Sequence, residues 1–460
     1  MKILVTIGPV SERESSLKKI LNITNLLRVN GSHNSLIWHK NITTKIKKIS
    51  PNCKILLDIP GVKPRTMNKK DLFIEKNEKI FFSYKKKIFK GNIKNVHLSN
   101  PIPQLKNKNR YLSISDGLYL FKIIKISKEY IQAVSLQSFT LKPFKGLNIP
   151  GSTYSEILQK KKYLDFLKKS NNKKILFDAI GLSFVQNQNL VKYIKNKFKD
   201  KIIISKIENI LGLKNIDSII KYSDVIMIDR GDLGAEIKSE NLYSAIDLVI
   251  ERCKKQNTPV IVATENLNSM MRDTEASKSD IVNISHLGSL NVDTIMLSDE
   301  TAISKNYFKI IKWLDSFINK TKQLENDKKY KSENTINHKE FLFKFYNNLN
   351  KNFKDLPLIL FTKKGYFLKD YLNSSSNKNF FIFTTNKMIE KIYSFSNKTK
   401  IFYIKKFNNK RLNFFIYNEL RKVKDEILKK NKSAILIYTN YPRKGSKANN
   451  ITLLNKDDFK

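Results

Sequence analysis

The sequence is poor in the residues that build disulfide networks and cysteine metal clusters. Its 460 residues include two cysteines, Cys53 and Cys253, which excludes both kinds of structure and fits a reducing, cytoplasmic setting. No apolar run approaches the roughly twenty residues needed to span a bilayer. Residues 1–13 lack a small-residue cleavage site, so we interpret them as a first strand rather than a signal peptide.

Acidic residues are scarce relative to basic ones. The chain has 41 Asp and Glu against 86 Lys and Arg, a formal net charge of +45, which gives electrostatic affinity for any polyanion. The lysines are dispersed among Asn and Ile, and the runs at 85–87 and 160–162 lack interleaved aromatics or arginine clusters. We therefore interpret the charge as a compositional bias and expect no specific nucleic-acid partner and no membrane partner.

Short apolar strands that end in reactive polar residues recur along the first two thirds of the chain. Runs of Val, Ile, Leu and Met are typical of strands buried on both faces, and polar stretches of helical length separate them. Reactive groups at the C-terminal ends of such strands are typical of a β/α barrel. Eight units can be counted, at 2–8, 25–29, 54–58, 174–184, 202–206, 224–229, 259–264 and 293–298.

Three regions with different patterns are predicted. The barrel takes residues 1–66 and 144–325, giving an α/β fold of the (β/α)8 TIM-barrel type. Residues 67–143 contain short alternating stretches with turn residues, which indicates a small antiparallel β module inserted between barrel units. Residues 335–460 alternate apolar strands with helix-like spacers, which indicates a C-terminal open α/β domain.

Two carboxylates follow the fifth and sixth predicted strands without a His or Cys partner. Glu208 and Asp232 therefore suit a hard cation, Mg²⁺ or Mn²⁺. Lys206 precedes Glu208 by two residues, so both side chains face the same way along an extended backbone. An ammonium beside a metal can neutralise a phosphoryl group or an enolate oxygen. A buried structural ion pair with Lys206 is the alternative interpretation.

Groups that bind anions come from neighbouring strand ends. Arg28 and Arg65 supply forked donors for phosphate oxygens. In RGDLGAEI (230–237) the glycines allow a tight turn into a short helix, whose free N–H groups would hold a carboxylate. Thr264 can donate its hydroxyl to the same substrate.

The chain resembles the pyruvate kinase family along nearly its whole length. The matching segments occur in the family's order and spacing. They are TIGP (6–9), RVNGSH (28–33), LDIPGVKPRT (57–66), KGLNIPG (145–151), SKIEN (205–209), RGDLGAEI (230–237), VIVAT (260–264) and LSDETA (297–302).

The resemblance implies Mg²⁺-dependent transfer of the phosphoryl group of phosphoenolpyruvate to ADP, giving pyruvate and ATP in the last step of glycolysis. It makes the insertion at 67–143 a small β-barrel lid domain, and it implies a homo-oligomer, commonly a tetramer. The implied roles are Mg²⁺ binding for Glu208 and Asp232, phosphoryl and enolate stabilisation for Lys206, phosphate binding for Arg28 and Arg65, enolate protonation for Thr264 with Ser298 and Glu300 nearby, carboxylate binding for the Gly231 and Asp232 amides, and nucleotide lining for Thr6, Pro9, His33 and Lys145.

The family's monovalent-cation site shows one departure. Asn30, Ser32 and Asp58 match side chains that surround a bound cation, normally K⁺. Lys63 occupies a position where potassium-dependent members carry Glu. Its tethered ammonium could do the work of the bound ion, because both place one positive charge near the substrate phosphate. We therefore expect K⁺ to be dispensable.

Other departures add negative charge near a site that binds anions. Asp229 replaces a small residue, Glu265 replaces Gln and Asp299 replaces Gly, and each opposes phosphate binding unless Lys or a metal pairs with it. Ile59 and Pro60 replace the more usual Thr-Lys. These changes leave open a weakly active or inactive pyruvate-kinase-like binding protein. A Mg²⁺-dependent lyase or aldolase acting on the enolate of pyruvate is a further alternative.

Overall fold

The computed structural model describes residues 1–84, 93–105, 110–127, 129–237, 239–324, 356–363, 365, 368, 380–396, 399–407, 412–428, 433–438 and 450–459. The chain divides into two compact units, one of Ile3–Phe317 and the other of Met1–Lys2 with Ile318–Lys460. No helix in the described part of the chain is long and apolar enough to cross a membrane.

The first unit is built around a closed barrel. Within the described residues, eight parallel strands form it, and each strand pairs with its neighbours in sequence order around the ring. Nearly every strand residue is buried, which confirms the predicted buried-strand pattern. We number the strands 1 to 8: Lys2–Thr6, Leu26–Asn30, Lys54–Ile59, Ala179–Leu182, Ile202–Ile207, Val225–Asp229, Val260–Ala263 and Thr294–Leu297.

Helices cover the outside of the barrel and connect successive strands, as the alternating pattern predicts. Strand 4 is shorter than the predicted 174–184, because Lys174 has a left-handed backbone with φ 55° and the strand begins only at Ala179. The helices are Glu14–Leu21, Leu36–Ile49, Glu156–Asn172, Gln188–Lys197, Ile210–Lys214, Ile216–Tyr222, Arg230–Ile237, Leu242–Lys255, Lys278–Ser289, Asp299–Ala302 and Tyr307–Leu324, with 3-10 turns at Ser239–Asn241 and Ser269–Met271.

At the N-terminal end of the barrel, a repeated contact joins the strands in pairs. A side chain just before each even-numbered strand hydrogen-bonds to the backbone of the preceding odd-numbered strand. The contacts are Thr24 Oγ1 to the Ile3 carbonyl at 2.6 Å, the Ile55 amide to Asp178 at 3.0 Å, the Ile203 amide to Asp224 at 2.9 Å and the Val260 amide to Asp293 at 3.0 Å. These bonds fix the register at the end that carries no chemistry.

Between strands 3 and 4 the chain leaves the barrel and forms a β module with its own apolar core, in which the Phe82 and Phe121 rings pack edge to face. Its sheet extends beyond the predicted end at 143, because Leu147 pairs with Ile114 on the way back to the barrel. The described strands are Leu72–Ile74, Lys79–Ser83, Lys94–His97, Gln104–Leu105, Tyr111–Ile114, Tyr119–Ile126, Tyr130–Ser135, Phe139–Leu141, Leu147–Asn148 and Ser152–Thr153.

The second unit is an open α/β sheet, which agrees with the predicted fold class. Among its described residues, five strands lie in the order Thr399–Tyr403, Phe380–Thr384, Leu358–Thr362, Ser433–Tyr438 and Asn450–Asn455. The first four are parallel and the last is antiparallel. Apolar clusters cover both faces. The helices among its described residues after 356 are Lys387–Tyr393, Leu412–Arg421 and Lys424–Ile427, with a 3-10 turn at Lys456–Phe459.

Candidate active site at the barrel mouth

Lys206 is a buried cation at the C-terminal end of strand 5. Its ammonium lies 2.6 Å from Glu208, 3.2 Å from Asp58 and 3.2 Å from Asp229, and the residue is only 5% exposed. Strand alternation puts residues 206 and 208 on one face, as predicted. Burial alone would lower the pKa of this ammonium, but the three acids reverse that effect and raise its pKa well above the ordinary value. Lys206 therefore remains charged.

Arg28 contacts the same carboxylate oxygen of Asp58, Oδ2, that Lys206 contacts. Its Nε and one terminal nitrogen donate to the same carboxylate oxygen at 2.9 and 2.6 Å, and the other terminal nitrogen donates to Thr6 Oγ1 at 3.1 Å. Strands 1, 2 and 3 are hydrogen-bonded neighbours, which brings these side chains together. Burial opposes ionisation of Asp58, but Lys206 and Arg28 hold its pKa below the ordinary value. Asp58 is a fixed anion between two fixed cations.

Three carboxylates converge beside Lys206. Ligand oxygens of Glu208, Asp229 and Asp232 all lie within 4.8 Å of one another. Glu208 also accepts the Phe184 amide. Burial raises the pKa of Glu208 to about 8, although Lys206 opposes that rise. A set of carboxylate oxygens with no His or Cys fits a hard divalent cation such as Mg²⁺ or Mn²⁺.

Lys63 lies in the turn after strand 3 and reaches Asp232 across the mouth. Its ammonium contacts the Asp232 carboxylate, and it lies 3.2 Å from Asp116 in the β module. Burial would lower the pKa of Lys63, but the two acids raise it. A Cβ on Gly146 would lie 2.5 Å from Lys63 Cε, so a larger residue there would require the end of the Lys63 side chain to move.

The structure does not bring Lys63 to the predicted monovalent-cation residues. Asn30 is the strand partner of Asp58, and its side-chain oxygen accepts the Ser32 amide at 3.1 Å. The Asp58 carboxylate is already paired with Arg28 and Lys206. Because strand 3 ends at Ile59, the turn that follows carries Lys63 toward the helix Arg230–Ile237 and away from these residues.

Thr264 follows strand 7 in a strained backbone. Thr264 and Glu265 have φ values of 63° and 51°, a region that side chains other than Gly rarely adopt. Arg230 stabilises this turn by donating to the Thr264 carbonyl from Nε at 3.0 Å. The Thr264 hydroxyl accepts the Gly231 amide at 3.1 Å and lies 3.3 Å from Asp229 Oδ1. This left-handed turn places the Thr264 hydroxyl between the carboxylate cluster and the N-terminus of the helix Arg230–Ile237.

Other predicted residues lie farther from this cluster. Arg65 is half-buried and donates to the Phe144 carbonyl at 3.2 Å, and no acid is among its contacts within the described residues. Glu300 accepts the amides of Asn266 and Ser298 at 3.1 and 2.7 Å and so connects two loops. Ser298 Oγ is buried and has no hydrogen-bond partner in the described part of the chain.

The predicted nucleotide residues divide by exposure. Pro9, His33 and Lys145 are exposed at the mouth, whereas Thr6 is buried and uses its hydroxyl to accept from Arg28. Desolvation, together with the positive charges of Arg65 and Arg28, lowers the pKa of His33. His33 therefore favours the neutral form near neutral pH.

The departures from the family pattern also lie in different surroundings. Asp229 is buried and paired with Lys206, whereas Glu265 and Asp299 are exposed, Ile59 is buried at the end of strand 3 and Pro60 is half-buried. Sequence reasoning missed Asp116 as a partner of Lys63. The tight turn around Gly117 identifies a loop, but no sequence signal shows which part of the barrel that loop contacts.

Comparison with known proteins gives one consistent result. Residues 1–309 match the model of the barrel domain of pyruvate kinase. Pyruvate kinase of Staphylococcus epidermidis is 31% identical over 350 residues, covering 73% of this chain and 59% of that protein. Pyruvate kinase of Trypanoplasma borreli is 29% identical over 319 residues, covering 66% of this chain and 63% of that protein. The chain thus matches about three fifths of the length of these relatives.

Solved structures show the same fold. A pyruvate kinase from Cryptosporidium parvum aligns with a TM-score of 0.82 at 23% identity, covering 99% of this chain and 95% of that one. A pyruvate kinase from Pyrobaculum aerophilum aligns with a TM-score of 0.77 at 18% identity and covers 99% of both chains. With the barrel match and the sequence relatives, this shows that the chain belongs to the pyruvate kinase family.

Proposed function

We propose that the barrel mouth transfers the phosphoryl group of phosphoenolpyruvate to ADP in the presence of Mg²⁺ or Mn²⁺, giving pyruvate and ATP as in the last step of glycolysis. The observation that carries this proposal is the convergence of Lys206, Glu208 and Asp232 at the ends of strands 5 and 6. Family membership supports the reaction class.

Charge stabilisation accounts for most of the proposed chemistry. Glu208 and Asp232 would hold the divalent cation, which neutralises phosphate oxygens when it is bound. Lys206 would neutralise the charge that develops on the transferring group and on the enolate oxygen. Arg28 keeps unused N–H donors after pairing with Asp58, and Arg65 would add a second forked donor for phosphate.

The substrate carboxylate would bind at the N-terminus of the helix Arg230–Ile237. The amides of Gly231 and Asp232 lie in the first turn of this helix, where N–H groups and the helix dipole favour an anion. The Gly231 amide donates to Thr264 Oγ1 in this structure, so the substrate carboxylate would take the place of that bond. Because Thr264 Oγ1 lies 3.1 Å from the Gly231 amide, its hydroxyl would stand beside the bound substrate. From there it would deliver the proton that converts the enolate to pyruvate.

The β module would exclude water from the transfer. Its Asp116 contacts Lys63, so the module reaches the edge of the mouth. Exclusion of water would strengthen the interactions with the transferring group and prevent its hydrolysis.

We further infer that turnover needs no added K⁺. Lys63 is a buried ammonium beside Asp232, and it supplies a permanent positive charge in the mouth. We expect equal rates in buffers containing K⁺ or tetramethylammonium. A strict requirement for K⁺ would contradict this inference.

We also propose that the protein works in a reducing cytoplasm and as a homo-oligomer, commonly a tetramer in this family. A coupled assay with phosphoenolpyruvate, ADP and Mg²⁺ tests the main proposal. Pyruvate should form only when the nucleotide is present. Pyruvate formation without nucleotide would favour a lyase, and nucleotide binding without turnover would favour a binding protein.

A further inference from the structure

Asp229 ends strand 6 at a position where the family resemblance predicts a small residue. The sequence alone indicates a harmful negative charge there. The structure shows instead a buried carboxylate, within 4.8 Å of the ligand oxygens of both Glu208 and Asp232. The added carboxylate of Asp229 is therefore close enough to the Glu208 and Asp232 oxygens to contact a cation bound between them.

We propose that Asp229 is a third carboxylate ligand of the divalent cation. The inference rests on the proposed function for the identity of the cation site. It goes beyond that function by assigning a ligand that the family resemblance does not include.

The protein contacts of Asp229 leave its carboxylate free to bind a cation. Lys206 lies 3.2 Å from one oxygen and the Thr264 hydroxyl 3.3 Å from the other, whereas Lys206 lies only 2.6 Å from Glu208. Hydrogen bonds to a carboxylate are usually shorter than 3 Å, so both Asp229 contacts are weak. A carboxylate also has about four acceptor sites, of which these contacts use two.

The balance of buried charge favours a cation in the same place. Within the described barrel residues that make direct contact at the mouth, four acids face three basic groups, and Asp116 of the β module adds a fifth, largely exposed acid. Burial of an uncompensated negative charge is costly, and a divalent cation would remove that cost. Lys206 needs no third acid for its own stability, because Glu208 and Asp58 already pair with it. The acids are Asp58, Glu208, Asp229 and Asp232, and the basic groups are Arg28, Lys63 and Lys206.

A third ligand changes the coordination that remains for water and substrate. Mg²⁺ and Mn²⁺ commonly take six oxygen ligands. Two protein carboxylates leave about four positions and three leave about three, since each ligand occupies one position. The number of water molecules on the bound ion therefore reports directly whether Asp229 is a ligand.

The experiment uses Mn²⁺ as the probe in the absence of phosphoenolpyruvate and ADP. Titration of the full chain is followed by electron paramagnetic resonance, and line broadening in ¹⁷O-water counts the bound waters. Asp229→Ala should weaken Mn²⁺ binding by about tenfold or more and add one bound water. Asp229→Asn keeps an amide oxygen that can still coordinate the ion, so it should weaken binding without adding a water. Glu265→Gln removes an exposed acid outside the cluster, so it serves as the matched control and should change neither quantity.

The outcomes separate this inference from the proposed function. If folded Asp229→Ala binds Mn²⁺ with the wild-type affinity and water count, Asp229 is not a ligand, and wild-type turnover would still support the function. If the affinity of Asp229→Ala falls but its water count stays constant, Asp229 does not coordinate the ion and the proposal is overturned. If wild-type protein binds no Mn²⁺ and shows no turnover, both proposals fail.

Discussion

The two sides of the barrel mouth hold their charges by different means. On one side, Arg28, Asp58 and Lys206 project from strands of the barrel sheet, and strand register fixes their spacing. On the other side, Lys63 comes from a turn and joins Asp232 of a short helix to Asp116 of the β module. We call these the strand side and the turn side.

The difference separates a rigid part of the site from a part that can adjust. Strand neighbours cannot move apart without breaking backbone hydrogen bonds, so the strand side keeps its geometry when ligands change. The turn side depends on side-chain contacts between segments that belong to the barrel and to the module. We therefore expect substitutions on the strand side to abolish chemistry, and those on the turn side to change binding and ion dependence.

The largest effect should come from Lys206→Met. This change removes the charge that would stabilise the transferring group, leaves Glu208 buried without its paired cation and leaves Asp58 with Arg28 alone. We expect turnover in the coupled assay to fall by about a thousandfold or more, and the free energy of unfolding to fall by about 3–5 kcal/mol. Lys18→Met removes an exposed lysine that pairs with Glu14, and it should change neither quantity. Retention of most turnover would refute the role of Lys206.

A smaller and ion-dependent effect is expected for Lys63→Glu. This substitution introduces the acid of potassium-dependent members beside Asp232, so turnover without K⁺ should fall by about a hundredfold, the scale of a lost electrostatic contact. Added K⁺ should restore part of it by neutralising the new carboxylate. Lys63→Met removes the ammonium without providing a ligand, so it should lose activity and gain little from K⁺. An equal response of both variants to K⁺ would contradict the proposed exchange of Lys63 for the ion.

The pH dependence of stability provides a test at Glu236, which lies in the same helix as Asp232 of the turn side. It is buried in the helix Arg230–Ile237 and accepts the Gly151 amide at 3.3 Å, and burial raises its pKa to about 8. The folded chain therefore keeps a proton that the unfolded chain releases near the ordinary glutamate pKa of 4.5, so the free energy of unfolding falls as pH rises from about 4.5 to about 8. Asp58 on the strand side has the opposite shift.

Glu236→Gln should remove this pH dependence. Between about pH 5 and pH 8, wild-type Tm should fall relative to that of the variant by several degrees, equivalent to about 1–3 kcal/mol. Thermal denaturation over this range measures the difference. Parallel Tm curves for the two proteins would show that Glu236 is already ionised in the folded chain.

The smallest effect is expected for Asp116→Asn. Its side chain is 61% exposed, and exposed ion pairs contribute about 0–1 kcal/mol, so kcat/KM for phosphoenolpyruvate should change by less than about fivefold. A loss as large as that of Lys63→Glu would show that the contact with the β module, and not the charge of Lys63, controls the turn side.

The sequence predicted the strand side better than the turn side, for a physical reason. Lys206 lies in strand 5 and Glu208 directly follows its end, so the extended backbone puts both side chains on one face, and the structure places them in contact. Lys63 meets Asp116 and Asp232 across 53 and 169 residues of chain. Those contacts depend on the direction of one turn and the packing of one module, which no local pattern specifies.

Asp229 shows the same limit. Its negative charge was visible in the sequence, but its effect depends on a distance of a few ångströms to Lys206 and to two other carboxylates. Residue type gives the sign of an interaction, and only the fold decides its partner. The prediction that Asp229 opposes phosphate binding unless Lys or a metal pairs with it therefore left open the distance that determines its role.

The paired contacts at the N-terminal end of the barrel have a consequence for how the barrel could be rearranged. Each contact joins an odd-numbered strand to the next even-numbered one, as in the bond from the Ile203 amide to Asp224. The barrel thus consists of four pairs of strands, which we call quarters. One hydrogen bond at the N-terminal end of the barrel, opposite the mouth, joins the two strands of each quarter. A circular permutant opened between quarters, for example in the loop after Lys255, would keep the two partners of every such hydrogen bond in one continuous segment. A permutant opened within a quarter would separate the two partners, which would then have to meet from opposite ends of the chain.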